Sequence, residues 1–353
     1  SARERRDRSM NAATWSLPLL SGAFLLCAVT IAVFGVRMTR AARDLAHRTG
    51  LGELLVGAVL VGAATSLAGI TTSVTAAWTG HAGLAVSNAF GGIAAQTAFL
   101  AIADIVYRRA NLEHAAASVE NLVVCAFLLC LLGIHVGGAA TPSVSFLGIH
   151  PVTPILVVAY FFGLYVLVKT HRSPMWIPRR TDDTRPESIG YRRGLQSSAA
   201  RLWLIFTTSA VAVAGSGWLL AQVAVPFSVQ TGLSESFVGG TFTAIATSLP
   251  ELIIAITAVR MGALNLAVGD IIGGNAFDTL FVAISDMVYR AGPIYGAISN
   301  AEVLWLAITI LMTAVLLMGL LYRQRHGIGN IGVESVLLAV IYLGGAGAMF
   351  FLA

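Results

Sequence analysis

Shifted by 182 positions, residues 49–108 fall on residues 231–290 without a gap, and this internal repeat constrains the fold more than any other feature of the chain. Thr49-Gly50-Leu51 meets Thr231-Gly232-Leu233, Ala64-Thr65-Ser66-Leu67 meets Ala246-Thr247-Ser248-Leu249, and Leu84-Ala85-Val86 meets Leu266-Ala267-Val268. Gly91-Gly92 meets Gly273-Gly274, and Val106-Tyr107-Arg108 meets Val288-Tyr289-Arg290. About 27 of the 60 positions are identical, far more than two unrelated apolar segments share through composition.

The repeat sits in a chain of membrane character: 57% of the 353 residues are hydrophobic and 11% are charged, against roughly 25% charged in soluble domains. About ten apolar runs are long enough to cross about 30 Å of hydrocarbon as helices. They are 14–37, 51–77, 82–106, 118–140, 151–168, 201–226, 233–259, 264–288, 299–322 and 330–352. The first is too long, and followed by too many others, to read as a cleaved leader, although Arg3 to Arg8 precede it. Five spans separate each copy from its partner, and an odd number reverses direction through the bilayer, so the copies are inverted. Two similar halves facing opposite ways around a midplane site are a transporter arrangement. A duplicated membrane protein without cargo is the alternative, since duplication alone does not prove transport.

The expected fold is therefore an all-α polytopic membrane protein of about ten transmembrane helices, arranged as two inverted five-helix repeats. Its parts are a basic tail (1–13), a first repeat (14–168), a basic loop (169–200) and a second repeat (201–353). The net charge of +5 includes 21 arginines and one lysine. The loop from Lys169 to Arg201 carries Arg172, Arg179, Arg180, Arg185, Arg192 and Arg193, which places it in the cytoplasm. With ten spans, about 17 of the 22 basic residues then lie inside. The N-terminal arginine cluster is the exception: it would fall outside, so either this short tail crosses despite its charge or the chain has one further span.

Two acids stand well inside apolar spans of the second copy: Glu251 after Thr247-Ser248-Leu249-Pro250, and Asp278 at the end of Gly269-Asp270-Ile271-Ile272-Gly273-Gly274-Asn275-Ala276-Phe277-Asp278. A charge at that depth costs about 2.5–3.5 kcal/mol even on insertion scales, so it persists where it faces a polar cavity or an ion. Two carboxylates on successive helices make a hard-cation site plausible. Pro250 lacks an N–H and should kink or unwind its helix, freeing carbonyl oxygens beside Glu251. The glycines at 269, 273 and 274 allow a close helix approach, or serve packing alone.

These stretches are similar to the second alpha-repeat of the cation/calcium exchanger superfamily, whose pattern is Gly-Thr-Ser-Leu-Pro-Glu followed by Gly-Asn-x-x-Gly-Ser-Asn-x-Phe-Asn/Asp. Residues 49–108 resemble the first repeat. The resemblance implies exchange of calcium against sodium, potassium or protons, with Glu251 and Asp278 as ion ligands and Thr247 and Ser248 contributing oxygens. The first repeat departs from the pattern: Ala68 and Gly69 stand opposite Pro250 and Glu251, Ile93 and Gln96 opposite Asn275 and Asp278, and Asn88 opposite Asp270. Gln96 keeps a neutral oxygen ligand, and Thr65 and Ser66 keep hydroxyls. Fewer ligand charges weaken divalent binding, and restoring an acid as Gly69→Glu should strengthen it. A proton-coupled cycle is also open, because a carboxyl withdrawn from water can exchange its proton near neutrality.

Other residues carry plainer expectations. Glu53 and Glu235 complement helix dipoles. Asp104 with Arg108, and Asp286 with Arg290, are four apart and read as interfacial ion pairs. His135 and His150 flank an external loop, where solvation is preferred over a pH-sensing pair. The six tryptophans suit an aromatic belt, and Cys27, Cys125 and Cys130 read as core packing. No enzyme motif is present. The expected function is cation antiport, with a degenerate, non-transporting ion- or partner-binding protein as the alternative. No cofactor is expected beyond the transported cations, Ca2+ with Na+ or H+. The partners are membrane lipid and those cations, without nucleic acid. The near absence of lysine, with abundant alanine and glycine, suits a multi-pass protein of a bacterial inner membrane.

Overall fold

The computed structural model describes residues 14–49, 62–107, 109–179, 181, 184, 198–327 and 331–352. In chain order they form α1 (Leu17–Thr49), α2 (Leu67–Trp78), α3 (Ala82–Tyr107), a single turn α4 (Leu112–Ala115), α5 (Val119–Ala140) and α6 (Val152–Arg172). The second half holds α7 (Ala199–Thr231), α8 (Glu235–Thr247), α9 (Leu249–Arg260), α10 (Leu264–Asp278), α11 (Leu280–Val288), α12 (Asn300–Tyr322) and α13 (Val333–Leu352). Among the described residues there is no strand, only an isolated bridge between Phe146 and Ile149.

The chain is an all-α, multi-pass membrane protein. Eight helical stretches are long and apolar enough to cross a membrane, α10 and α11 counting as one, and the bent pair α8–α9 makes a ninth. The tenth expected span includes α2, and most of its first half lies outside the described residues. Serines set several starts: Ser118, Ser198 and Ser234 accept from the backbone N–H groups of Asn121, Arg201 and Phe237. Ser299 and Glu302 form a reciprocal capping box at α12. Gly232, in the left-handed region at φ 73°, ends α7.

Helix α3 is apolar and, from Leu84 to Ala101, buried on every side, as a helix at the centre of a membrane bundle must be. Packed around it are α2, α8, α9, α10, α12 and α13. Helices α1 and α7 run against each other and join α2 in a separate cluster of Cys27, Ile31, Met38, Ala68, Val213 and Leu220. The outward faces are apolar too: Leu25, Leu26 and Val29 on α1, with Val158, Phe161 and Phe162 on α6, are exposed. In a bilayer these meet lipid tails.

Three expectations are corrected here. Cys130 is exposed, whereas Cys27 and Cys125 are buried. Trp305 is fully buried and donates its indole N–H to the Ser236 carbonyl at 3.3 Å, so it belongs to the core rather than to a belt. The pairing of Asp286 with Arg290 is replaced by two separate tasks. Asp286 accepts from the backbone of His150 and Ile294 and from the Thr153 hydroxyl, while the Arg290 guanidinium lies 5.0 Å over the Trp78 ring.

Candidate cation site

Each copy of the repeat breaks at the same serine. Ser66, before α2, has φ −83° and ψ −2°, and Ser248, before α9, has φ −97° and ψ 4°. In the second copy the two helical pieces bend by 46°. Pro250 occupies the first turn of α9, where a missing N–H is tolerated, but it leaves the Ala246 carbonyl without its helical donor. The first copy has Ala68 there and breaks all the same, so the proline is not what the two breaks share. The common element is the Thr-Ser-Leu stretch. A third break, at Thr279, separates α10 from α11 directly after Asp278.

The breaks converge on one small cavity. Ser66, Gly69, Asn88, Gln96, Thr247, Ser248, Glu251, Asp278 and Phe281 border it. Its volume is about 10 Å³, room for roughly one water-sized occupant. Asp278 is gripped from the first copy: the Ser66 hydroxyl donates to it at 2.5 Å and the Gln96 amide at 2.6 Å. Gln96 also reaches the Ser248 hydroxyl at 3.3 Å. The residues named by the sequence are thus brought together across the two halves, with one exception. Thr65 stands one residue outside the ring, and its hydroxyl donates to the Gly62 carbonyl at 3.0 Å.

What the cavity lacks is positive charge. Glu251 is 6% exposed, and its Oε2 is buried with no hydrogen-bond donor; the Gln96 Oε1 is in the same condition. Buried acceptors without donors are costly, and a cation among them would remove the cost. Asn88 does not share this need, because its amide donates to Ser73 and to the Gly69 carbonyl while its oxygen accepts from Thr243. It braces the wall. Among the described residues no three acids, histidines or cysteines are grouped as a metal cage, so the charge of the site rests on Glu251 and Asp278.

Three features escaped the sequence. Phe281 fills the place where a first-repeat acid would enter: a Cβ built on Gly69 would lie 2.5 Å from the Phe281 ring. The expectation that Gly69→Glu simply adds a ligand is therefore corrected, since the aromatic ring must first move. Phe281 follows Asp278 by three positions, and that helical spacing was the available signal. Arg43, from α1, forms an ion pair with Asp270 on α10. Nothing local links residues 227 positions apart. Gly35 of α1 also lies hard against the Pro250 ring, so α1 crosses the second-copy side of the site at two points.

The remaining candidates have structural roles. Glu235 opens α8 and meets His81 Nδ1 at 2.7 Å, whereas Glu53 and Arg108 lie outside the described residues. Asp104 accepts from the backbone of Leu112 and Gly332. His135 and His150 are buried rather than solvated, because the Tyr295 ring packs against both. His135 bonds the Tyr295 hydroxyl and the Thr279 carbonyl, and His150 the Thr141 carbonyl.

Comparison with known proteins places the geometry in context. The pattern of the sodium/calcium exchanger protein family matches residues 19–170 and 201–351. A putative antiporter, CaxA, from Alkalimonas amylolytica is 26% identical over 334 residues, covering 92% of this chain and 97% of that protein. Among solved structures, the H+/Ca2+ exchanger CAX aligns with a TM-score of 0.68 at 12% identity, over 94% of this chain and 86% of its own. The sodium-calcium exchanger NCX_Mj aligns at 0.58 and 18% identity, over 94% and 99%. At these identities the structural likeness speaks for the fold.

Proposed function

The chain belongs to the sodium/calcium exchanger protein family, and from that premise we propose that it is a secondary active antiporter, moving Ca2+ or a related cation against Na+ or H+ by alternating access. One observation carries the reading: two buried carboxylates and the Gln96 amide, with Glu251 Oε2 and Gln96 Oε1 lacking donors, surround a cavity of single-ion size between the broken helices. Glu251 and Asp278 supply the charge. Gln96, Ser66, Ser248 and Thr247 supply neutral oxygens, and Thr65 holds the turn that presents Ser66. An ion seated there exchanges its hydration shell for these oxygens, and the breaks keep backbone dipoles directed at it.

With two carboxylates, the site binds a divalent ion less tightly than a cage of three or four acids. Helix α1 covers the side closed by Gly35 against Pro250 and by the Arg43–Asp270 pair. Alternating access on this reading requires those contacts to part. The setting is a bacterial inner membrane, in keeping with the bacterial relative.

Proteoliposomes test the proposal through Ca2+, Na+ and H+ flux in the wild type, Glu251→Gln and Asp278→Asn. Flux in the wild type that both substitutions abolish is the expected result. No flux of any of the three cations by the folded wild type, or flux indifferent to both changes, would overturn it.

A further inference from the structure

A second cavity opens at the end of the molecule where the segment after α6 docks through Thr181 on His114. It has a volume of about 280 Å³ and lies between the C-terminal end of α3 and the turn from α9 to α10. Arg109 and Arg260 line it with Tyr107 and Met261, and among the described residues no carboxylate does. Both arginines are exposed, and neither has an ion-pair partner among the described residues. Two guanidiniums sharing one cleft repel each other unless a negative charge lies near both.

The inverted copy shows what an answered arginine looks like. Arg260 corresponds to Trp78 through the 182-residue shift. At the opposite end of the bundle, that tryptophan lies beneath the Arg290 guanidinium, so cation and ring satisfy each other. At this end Arg260 stands where the other copy has the ring, and Arg108, the counterpart of Arg290, lies outside the described residues. The turn adds to the field: α10 begins at Leu264, which lines the cavity, and no side chain caps its first N–H groups. Uncapped amides at the start of a 15-residue helix favour an anion.

We propose that this cavity binds a phosphate-bearing anion, with Arg109 and Arg260 as its ligands. Exposed Ile102, Ile105 and Met261 lie close by in the chain, which puts the cavity at the edge of the apolar belt. The phosphate can come from an acidic lipid headgroup or from solution, and arginine forks recognise both.

The test uses the full-length chain purified in detergent. Native mass spectrometry counts phosphatidylglycerol retained against phosphatidylcholine, and thermal unfolding is followed with and without inorganic phosphate. The wild type should retain phosphatidylglycerol preferentially, and Arg109→Gln with Arg260→Gln should lower retention about tenfold. Arg290→Gln, at the opposite face, should leave it unchanged, and Arg260→Lys should lose less than Arg260→Gln. Stabilisation by inorganic phosphate that vanishes in the double variant, without lipid preference, supports the same site with a soluble ligand. Equal lipid retention in wild type and double variant, with no arginine-dependent response to phosphate, would overturn the proposal. Cation flux should be unchanged in these variants, which separates this cavity from the ion site.

Discussion

The two copies share a backbone and differ in charge. Both break at a Thr-Ser-Leu turn, yet the second offers Pro250, Glu251, Asp270 and Asp278 where the first offers Ala68, Gly69, Asn88 and Gln96. The first copy has become a holder: Ser66 and Gln96 donate to Asp278, and Asn88 ties α2 to α3. The second keeps the carboxylates. Backbone geometry can therefore be conserved by a short turn while the chemistry moves to one side, because a break depends on local hydrogen bonding and a ligand only on what the side chain carries.

The sharpest way to break this comparison is to remove charge from one copy and amide from the other. Glu251→Gln should abolish flux, a loss beyond the roughly 10–100-fold that supporting groups of a metal site cost. Gln96→Ala should cost about tenfold in apparent cation affinity and leave residual flux. Equal losses would mean that the copies contribute alike.

A second experiment tests whether the first copy can regain an acid. Gly69→Glu alone should lower thermal stability by about 1–3 kcal/mol, the usual cost of overpacking, because its Cβ meets Phe281. Adding Phe281→Ala should recover folding and raise divalent affinity, read from ion-dependent stabilisation. An unchanged affinity in the double variant would place residue 69 outside the ion's reach.

Smaller effects follow from the pair that α1 makes with Asp270, whose place in the first copy is taken by Asn88. Arg43→Gln should cost about 1 kcal/mol of stability, as a partly exposed ion pair does, and accelerate exchange if the contact limits opening. The smallest effect lies at α4. Burial, with Asp104 and Glu334 nearby, holds the Glu113 carboxyl well above its ordinary value. The native state then binds a proton that the unfolded chain has released, so stability is full below the ordinary glutamate range and declines as pH rises above it. Glu113→Gln should flatten that decline, changing the melting temperature by roughly 3 °C per kcal/mol.

Much of the architecture was legible because membrane spans are written in long apolar runs and the repeat in an ungapped shift. The depth of Glu251 and Asp278 was legible for the same reason. Partnerships across the bundle were not. Arg43 and Asp270 are brought together by tertiary packing alone, and the three-residue spacing of Phe281 from Asp278 puts the ring on the site's face without announcing its contact with Gly69 on another helix. His135, His150 and Trp305 were misjudged because nearness to a span end says little about burial when rings from other elements, Tyr295 and Tyr342, pack against them. The four-residue interval between Asp286 and Arg290 failed because Asp286 had backbone donors to satisfy and Trp78 offered the arginine a ring.

A site with only two acids also meets the membrane voltage in its own way. When Glu251 and Asp278 are both ionised, a seated divalent ion leaves the pocket formally neutral, whereas a monovalent ion leaves one negative charge uncancelled. An electric field works on charge that moves, at about 2.3 kcal/mol per unit charge per 100 mV. On the proposed antiport, voltage therefore acts unequally on the two loaded forms, and the lopsided pocket would make membrane potential part of the selection between them.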